Sequence, residues 1–482
     1  MKTSILLTSL HLSQHQHSTP MKTATLIITA LLVLPLAAFA QTNTGQSLVP
    51  TTSASPTGAA PLRATLPWCL EQGLRNNFSI HIADNRRATA EENATAANAG
   101  LLPTVTAAAG YGVDFLTSSR SNSRTTGETT KSTAFTDHAL SAQVGVTWTV
   151  FDGFGMQARY AELKLLRQQG DLERRMAAEE LIAGITAEYY NCIQQRIRLR
   201  NYLNAVRLSR ERMRIVEERY NIGNFSRLDY MQAKVDFNAD SAQYMKQQEA
   251  LRTSIIALNR LINDSGDLSR RLRIADTVIA VVPRLDYDAL WQDVLAYNTD
   301  LKKAELASGL AEQSLRRVLS RNYPSIKLSA AFGYNYNRYD VASNRWADRW
   351  GPSAGVTVGF DIFEGTRRSA QKAARREVEN VRLQGEDLQL SLRAKFSTLR
   401  QSHSSNIQVL ALEEQNLTAA QENYSIARER YLLGDLSGFE MREAQQSLLR
   451  AEERILQAAY DTKMCEISIM LISGGVEKYL AQ

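Results

Sequence analysis

The ten residues Val144 to Gly153, VGVTWTVFDG, decide how this chain is read, because they return at Val356 to Gly365 as VTVGFDIFEG, 212 positions on. In the first copy Val144, Val146, Trp148 and Val150 alternate with Gly145, Thr147 and Thr149. In the second, Val356, Val358, Phe360 and Ile362 alternate with Thr357, Gly359 and Asp361. Successive side chains of a β-strand point to opposite faces, so each copy reads as a strand with one apolar and one polar face. A second pair precedes them. Val105, Ala107, Ala109, Tyr111, Val113 and Phe115 match Ile326, Leu328, Ala330, Phe332, Tyr334 and Tyr336, 221 positions on, each alternating with small or polar residues. The chain therefore holds two similar hairpins, four amphipathic strands, separated by long helices.

The helical reading comes from the stretches between. No proline occurs from Met156 to Tyr220, which allows a helix roughly 100 Å long at about 1.5 Å per residue. Ile182, Ile185, Tyr189, Cys192, Leu199, Leu203 and Val206 step by threes and fours, the spacing of a coiled-coil seam, with Arg196 interrupting it. Gly223 breaks this helix and another follows; Gly434 does the same in the second half. A short helix over Leu66 to Asn76 and a longer one over Phe78 to Gly100 lead to Pro103, and the same pattern over Leu290 to Tyr323 leads to Pro324. A proline ends each helix and hands the chain to a strand.

Met21 to Ala40, MKTATLIITALLVLPLAAFA, has a lysine, a short apolar core and an A-x-A site before Gln41, the pattern of a secretory signal. Its core is too short for a membrane anchor, and Met21 stands as an alternative start to Met1. The expected organisation is a signal peptide at 1–40 and a flexible Thr/Ser/Pro/Gly leader at 41–64. A first repeat spans 65–268, with strands near 104–116 and 138–151 and helices near 155–221 and 226–264. After a linker at 269–285, a second repeat spans 286–475, with strands near 325–337 and 352–363 and helices near 366–432 and 437–471. A tail occupies 476–482. Polar loops are expected at Thr117 to Thr136 and Asn337 to Trp350, and Tyr336, Tyr339, Trp346 and Trp350 read as an interfacial aromatic girdle.

Composition narrows the function. The 482 residues are 44% hydrophobic and 22% charged, with a formal charge of +6. No basic run with interleaved aromatics points to nucleic acid. Cys69, Cys192 and Cys465 are too few and too scattered for a metal site or a disulfide framework, and Cys192 lies on the apolar seam. No catalytic motif occurs, and neither a cofactor nor a metal is expected. Alternating strands of about ten residues in an exported chain are the signature of outer-membrane β-structure. Four strands cannot close in lipid, where every backbone group must be paired internally, so the chain is expected to oligomerise.

Taken together, the LLP and NYP helix-to-strand junctions at Pro103 and Pro324, the F-[DE]-G turns at Gly153 and Gly365, and the motifs ERYNIGNFSRLDYMQA and ERYLLGDLSGFEMREA resemble the TolC family of outer-membrane efflux and secretion channels. The resemblance covers nearly all of the chain after the signal. It implies a homotrimer: twelve strands form a transmembrane β-barrel, four from each protomer, and the long antiparallel helices form a periplasmic α-barrel. It implies no enzyme activity. It also implies a periplasmic adaptor (membrane fusion) protein and an inner-membrane pump of RND or ABC type as partners, with outer-membrane lipid around the barrel. The hairpin tips at Gly223 and Gly434 are candidate adaptor contacts. Related channels narrow their closed entrance with acidic and tyrosine residues at positions matching Asp229, Glu440, Glu443 and Tyr431. Arg227 and Arg442 are expected to compensate the carboxylates. Leu436 stands where the family's archetype has a gate arginine, so that network does not transfer whole. Charges near a helix start also complement the helix dipole without any gating role. A periplasmic coiled-coil scaffold or adaptor without a pore would explain the helices but not the strands, and a single-chain porin would need far more strands.

Overall fold

Pro103 and Pro324 each stand directly ahead of a long strand. The structure, a computed structural model, describes residues 62–122, 127, 129–223, 225–263, 268, 272–339 and 345–475. The signal segment 1–40, nearly all of the leader 41–64, part of the linker 269–285 and the tail 476–482 lie outside the described residues. In chain order the elements are β1 (Leu62–Ala64), α1 (Leu66–Asn76), α2 (Phe78–Asn93), β2 (Thr104–Asn122), β3 (Thr129–Phe151), α3 (Gly155–Asn221), α4 (Arg227–Ile262), β4 (Leu272–Ile274), α5 (Tyr287–Tyr297), α6 (Thr299–Leu319), β5 (Ser325–Tyr339), β6 (Trp346–Gly359), α7 (Arg367–Leu433) and α8 (Gly438–Ile472).

The long strands form one antiparallel sheet in the order β2-β3-β5-β6. Directly paired residues share a face, and the register sorts the faces across all four strands. One face carries the rows Val105, Val146, Ala330, Ala354 and Ala107, Val144, Phe332, Pro352. The other carries Thr104, Thr147, Ser329, Gly355 and Ala108, Gln143, Gly333, Gly351. The apolar face runs from the row of Ile326 and Val358 to that of Tyr336. This is about 34 Å along the strand, or about 24 Å in height at a tilt of about 45°, close to the lipid-facing band of an outer-membrane barrel.

The register corrects several expectations. The stretches expected as loops are largely strand: Ser118 pairs with Thr133 and Asn122 with Thr129, and β5 and β6 run to Tyr339 and from Trp346. Ladder hydrogen bonds need only backbone groups, so apolar alternation marked only part of each arm. A bulge between Thr149 and Phe151 places Phe151, not Val150, opposite Ile326. The strand expected to reach 363 ends at Gly359, because its last partner, Ser325, follows Pro324 and no strand lies beyond it to pair. Phe360 and Ile362 consequently fall outside the sheet, the latter 89% exposed. Tyr339 pairs with Asp137 on the polar face and leaves the girdle, whereas Tyr111 shares the apolar row of Leu140 and Tyr336 and joins it. The helix expected to reach Gly100 stops at Asn93; the expected repeat of a short and a longer helix is present as α5 and α6, divided at Asn298. Leader and linker are not wholly irregular: β1 and β4 pair in parallel, their buried Ala64, Leu272 and Ile274 packing into a core with Ile185, Tyr189, Cys192, Ile193 and Leu258. Runs of three residues are too short for periodicity to reveal.

The helices α3 and α7 have 67 residues each, about 100 Å. α3 packs against α2, α4, α6 and α8, and α7 packs against α6 and α8. Shorter helices meet end to end at two asparagines. Asn77 accepts from Ser79 N as the N-cap of α2 and donates Nδ2 to Leu261 O at 2.8 Å, in the last turn of α4. Asn298 accepts from Leu301 N as the N-cap of α6 and donates to Ile472 O at 2.8 Å, in the last turn of α8. Each amide thus satisfies a start and an end that a helix leaves unpaired. Arg196, the interruption in the seam, donates to Ile274 O and Asp276 O and ties β4 to α3. Burial pushes the thiols of Cys69 and Cys192 up to about 12, in keeping with inert core residues.

Depth along the apolar face sets the cost of a charge. Val146 lies in the third row of the apolar band and Val358 in its first, at the edge of the band. Val146→Arg is expected to cost about 2–4 kcal/mol of folding stability, Val358→Arg only about 0–1 kcal/mol, and Thr147→Arg on the polar face to be tolerated. Urea titration of refolded protein in detergent or lipid checks the order.

Candidate functional site

The tips of the two helical hairpins bring together the charged residues that the sequence singles out. Each tip is shaped by a glycine in the left-handed region: Gly223 at φ 83°, just past α3, and Gly434 at φ 92°, capping α7. Three residues after each glycine stands the serine of a reciprocal cap. Ser226 Oγ accepts from Asp229 N while Asp229 Oδ2 accepts from Ser226 N; Ser437 and Glu440 do the same. Asp229 and Glu440 are therefore capping residues at the third position of α4 and α8, and both are exposed. Bonding to Ser437 holds the Glu440 carboxyl below the ordinary glutamate range. A depressed carboxylate stabilises the fold above its unfolded pKa, and the contribution is lost as pH falls through its folded value.

Behind the caps lies a buried charge network that sequence reasoning missed. Arg442 of α8 grips Asp240 of α4 with both terminal nitrogens, at 2.6 and 2.7 Å. Asp240 also accepts from Ser209 of α3, and Gln445 of α8 donates to Ser209 Oγ and to Ala205 O. One turn nearer the tip, Arg212 of α3 pairs with Asp236 of α4 and reaches Gly438 O. Arg212 and Asp240 are only 5% and 8% exposed. Burial pulls the Arg442 pKa down, but its bonds to the Asp240 carboxylate and the charges of Asp240 and Asp236 outweigh it, and the net shift is upward. The ion pairs thus lock the α3/α4 hairpin onto α8. The legible signal was Asp236 and Asp240 at i and i+4 on one face of α4 with arginines at comparable depth, but spacing from the glycines drew attention to the first turn only.

This assignment corrects the expected role of the arginines. Arg442 compensates Asp240, not Asp229, Glu440 or Glu443; Glu443 pairs with Arg450, and exposed Arg227 forms no ion pair among the described residues. Tyr431 is 2% exposed in an apolar cluster with Val216, Ala233, Ala427, Met441 and Ala444, and Arg219 lies over its ring at 5.7 Å. Burial pushes its hydroxyl pKa up. Leu436 packs against the same cluster. A cavity of about 440 Å³ opens between the hairpins, lined in part by Arg212, Asp229, Tyr431, Phe439 and Glu443.

The strand-to-helix junctions differ from each other. Gly153 has φ 73° and lies so close to Ser320 that an added Cβ would fall 2.2 Å from its carbonyl oxygen, whereas Gly365 meets nothing within 4 Å and has no positive φ. Pro103 and Pro324 each directly precede a strand.

Removing one partner of a buried pair strands the other charge. Arg442→Met is expected to cost about 3–5 kcal/mol of local stability at the tip, and Arg442→Met with Asp240→Leu to recover most of it. Hydrogen exchange of the amides around Ser209 and Asp240 reads both.

Comparison with known proteins places this architecture. The family model for outer membrane efflux protein matches residues 69–264 and 290–475. The pyoverdine export outer membrane protein OpmQ of Pseudomonas aeruginosa is 23% identical over 421 residues, covering 84% of each chain. The outer membrane protein TolC of Escherichia coli K12 is 20% identical over 353 residues, covering 71% of this chain and 70% of that one. The solved outer membrane protein VceC of Vibrio cholerae matches with a TM-score of 0.67 at 17% identity, over 85% of this chain and 96% of that one. The family match takes in the long strands and the helical hairpins alike, and the chain belongs to the outer membrane efflux protein family, whose members are outer-membrane channels for efflux or secretion rather than enzymes.

Proposed function

We propose that three copies of this chain, each an internal repeat of two similar halves, assemble into one continuous conduit. Twelve strands form the membrane barrel, and the long helices form a tube across the periplasm. The observation that carries the reading is the sheet: its apolar residues register on one face across all four strands, while β2 and β6 leave outward edges with no partner among the described residues. In lipid each unpaired backbone group costs several kcal/mol, so such a sheet calls for further copies to close it. A scaffold without a pore gives no reason for an apolar sheet face of this height. The polar face, with Thr147, Gln143, Lys327 and Asn335, suits a water-filled lumen.

The conduit is passive, so the driving force comes from partners: an adaptor meeting the tips near Gly223 and Gly434, and an inner-membrane pump of RND or ABC type. The relatives are named for cargoes as unlike as pyoverdine and alkaline protease, which fits a duct whose cargo is chosen by the pump. At the periplasmic entrance Asp229, Glu440 and Glu443 are exposed carboxylates, each repeated three times around the axis, with Tyr431 supporting them from the packed interior. Rings of carboxylates favour cations.

Because Asp229 and Glu440 also cap helices, the test replaces charge and keeps shape. Asp229→Asn, Glu440→Gln and Glu443→Gln together are expected to lower the cation preference of the channel in planar bilayers, read as a reversal potential moved toward zero under a salt gradient. An unchanged reversal potential in a variant of normal conductance would locate the selective constriction elsewhere and leave Asp229 and Glu440 as caps and Glu443 as the partner of Arg450.

A further inference from the structure

The outer end of the apolar sheet face carries two basic side chains that neither pore nor core explains. The register places Val113, His138, Arg338 and Trp346 in one row, immediately beyond the row of Tyr111, Leu140, Tyr336 and Asp348. This is the end of the sheet farther from the helices, and it directly follows the aromatic band. Arg338 is exposed and forms no ion pair among the described residues. Tyr111 OH and His138 Nδ1 lie 2.7 Å apart, with the rings stacked at 6.1 Å. In the tautomer in which Tyr111 donates, the ring proton of His138 is on Nε2. Trp346 and Trp350, in or near the same rows, are 59% and 70% exposed. Arg345 is exposed at the rim beside Trp346. Among the described residues of this face the acid is Asp348, one row nearer the helices, and it forms no salt bridge with Arg338; Asp114 and Asp137 stand opposite each other in register on the other face.

An unpaired arginine on a lipid-facing surface is costly in the hydrocarbon and favourable at the headgroup level, where aromatic rings mark the boundary. Given that the apolar face meets lipid, as proposed above, this end of the sheet lies in the outer leaflet. We propose that Arg338 and His138 form a binding site for the phosphate of a phosphorylated glycolipid of that leaflet. Arg338 offers a planar fork for two phosphate oxygens and His138 a further donor. Tyr111, Trp346 and Trp350 offer ring faces and edges for the sugar and the first acyl carbons. Cationic side chains near an anionic headgroup each contribute about fivefold in affinity.

The test uses purified full-length protein in phosphatidylcholine vesicles doped with lipid A, and native mass spectrometry of what the protein retains on extraction. The wild type should retain lipid A, and Arg338→Gln with His138→Gln should retain it at least about fivefold less. Arg349→Gln, opposite Asn335 on the polar face, should match the wild type. Equal retention by the wild type and the double variant would overturn the site. Phosphatidylglycerol retained as well as lipid A, with the same loss in the double variant, would overturn the glycolipid assignment. Conductance in the same vesicles separates the two levels of the argument. A conducting channel without selective retention removes this site alone, whereas a protein that neither inserts nor conducts removes the membrane reading on which it rests.

Discussion

Backbone groups along β2 and β6 that have no partner among the described residues are the constraint from which the rest of the architecture follows. A sheet with one apolar face can sit in a bilayer only if its edges are satisfied, because lipid offers no hydrogen bonds. The edges cannot meet each other within a chain, since four strands are too few to curve into a closed barrel. In the proposed assembly the chain supplies only part of a barrel, and copies of itself supply the remainder. The same constraint explains why the apolar alternation is so regular across β2, β3, β5 and β6: a slip of one residue in any pairing would turn a whole strand's apolar side toward water.

The helical part solves a different problem, that of reaching far without a broad core. α3 and α7 run unbroken, and the shorter helices are joined end to end, α4 to α2 and α8 to α6, by Asn77 and Asn298. A continuous surface about 100 Å long is thus assembled from pieces whose free ends are satisfied by one amide each. At the far end the ion pair of Arg442 with Asp240 joins the two hairpins, that of Arg212 with Asp236 fixes one of them, and a small apolar cluster around Tyr431 lies between them. Buried ion pairs contribute little net stability against apolar substitutes, but they penalise any arrangement that separates them. That property suits a tip whose two hairpins must keep one alignment while standing free of the main core.

Much of this was legible in the residues. The period-two runs at Val105 and Val144 and their returns at Ile326 and Val356 located the sheet and its faces, and glycine and proline marked the turns. What the pattern could not reach has a physical reason in each case. The hairpin arms beyond Phe115 pair through backbone groups that any residue supplies, and their polar sequence carries no apolar alternation. The bulge at Thr149 leaves no mark on composition, yet it exchanges Val150 for Phe151 on the apolar face. Asp229 and Glu440 read as pore charges because their distance from a glycine is conspicuous; the same distance places them at the third helical position, where the serine before each helix engages them. Asp236, Asp240 and Arg212 were hidden because a charged residue on a long helix is ordinarily solvated, and only the approach of α8 shows that these face inward.

The central claim is that the sheet is one part of a barrel closed by identical copies. Its most direct test is the mass of the outer-membrane form released in mild detergent and weighed by native mass spectrometry. The account predicts a complex of three chains that resists dissociation until the sheet itself is denatured. A folded, detergent-stable single chain with its strands intact would contradict it.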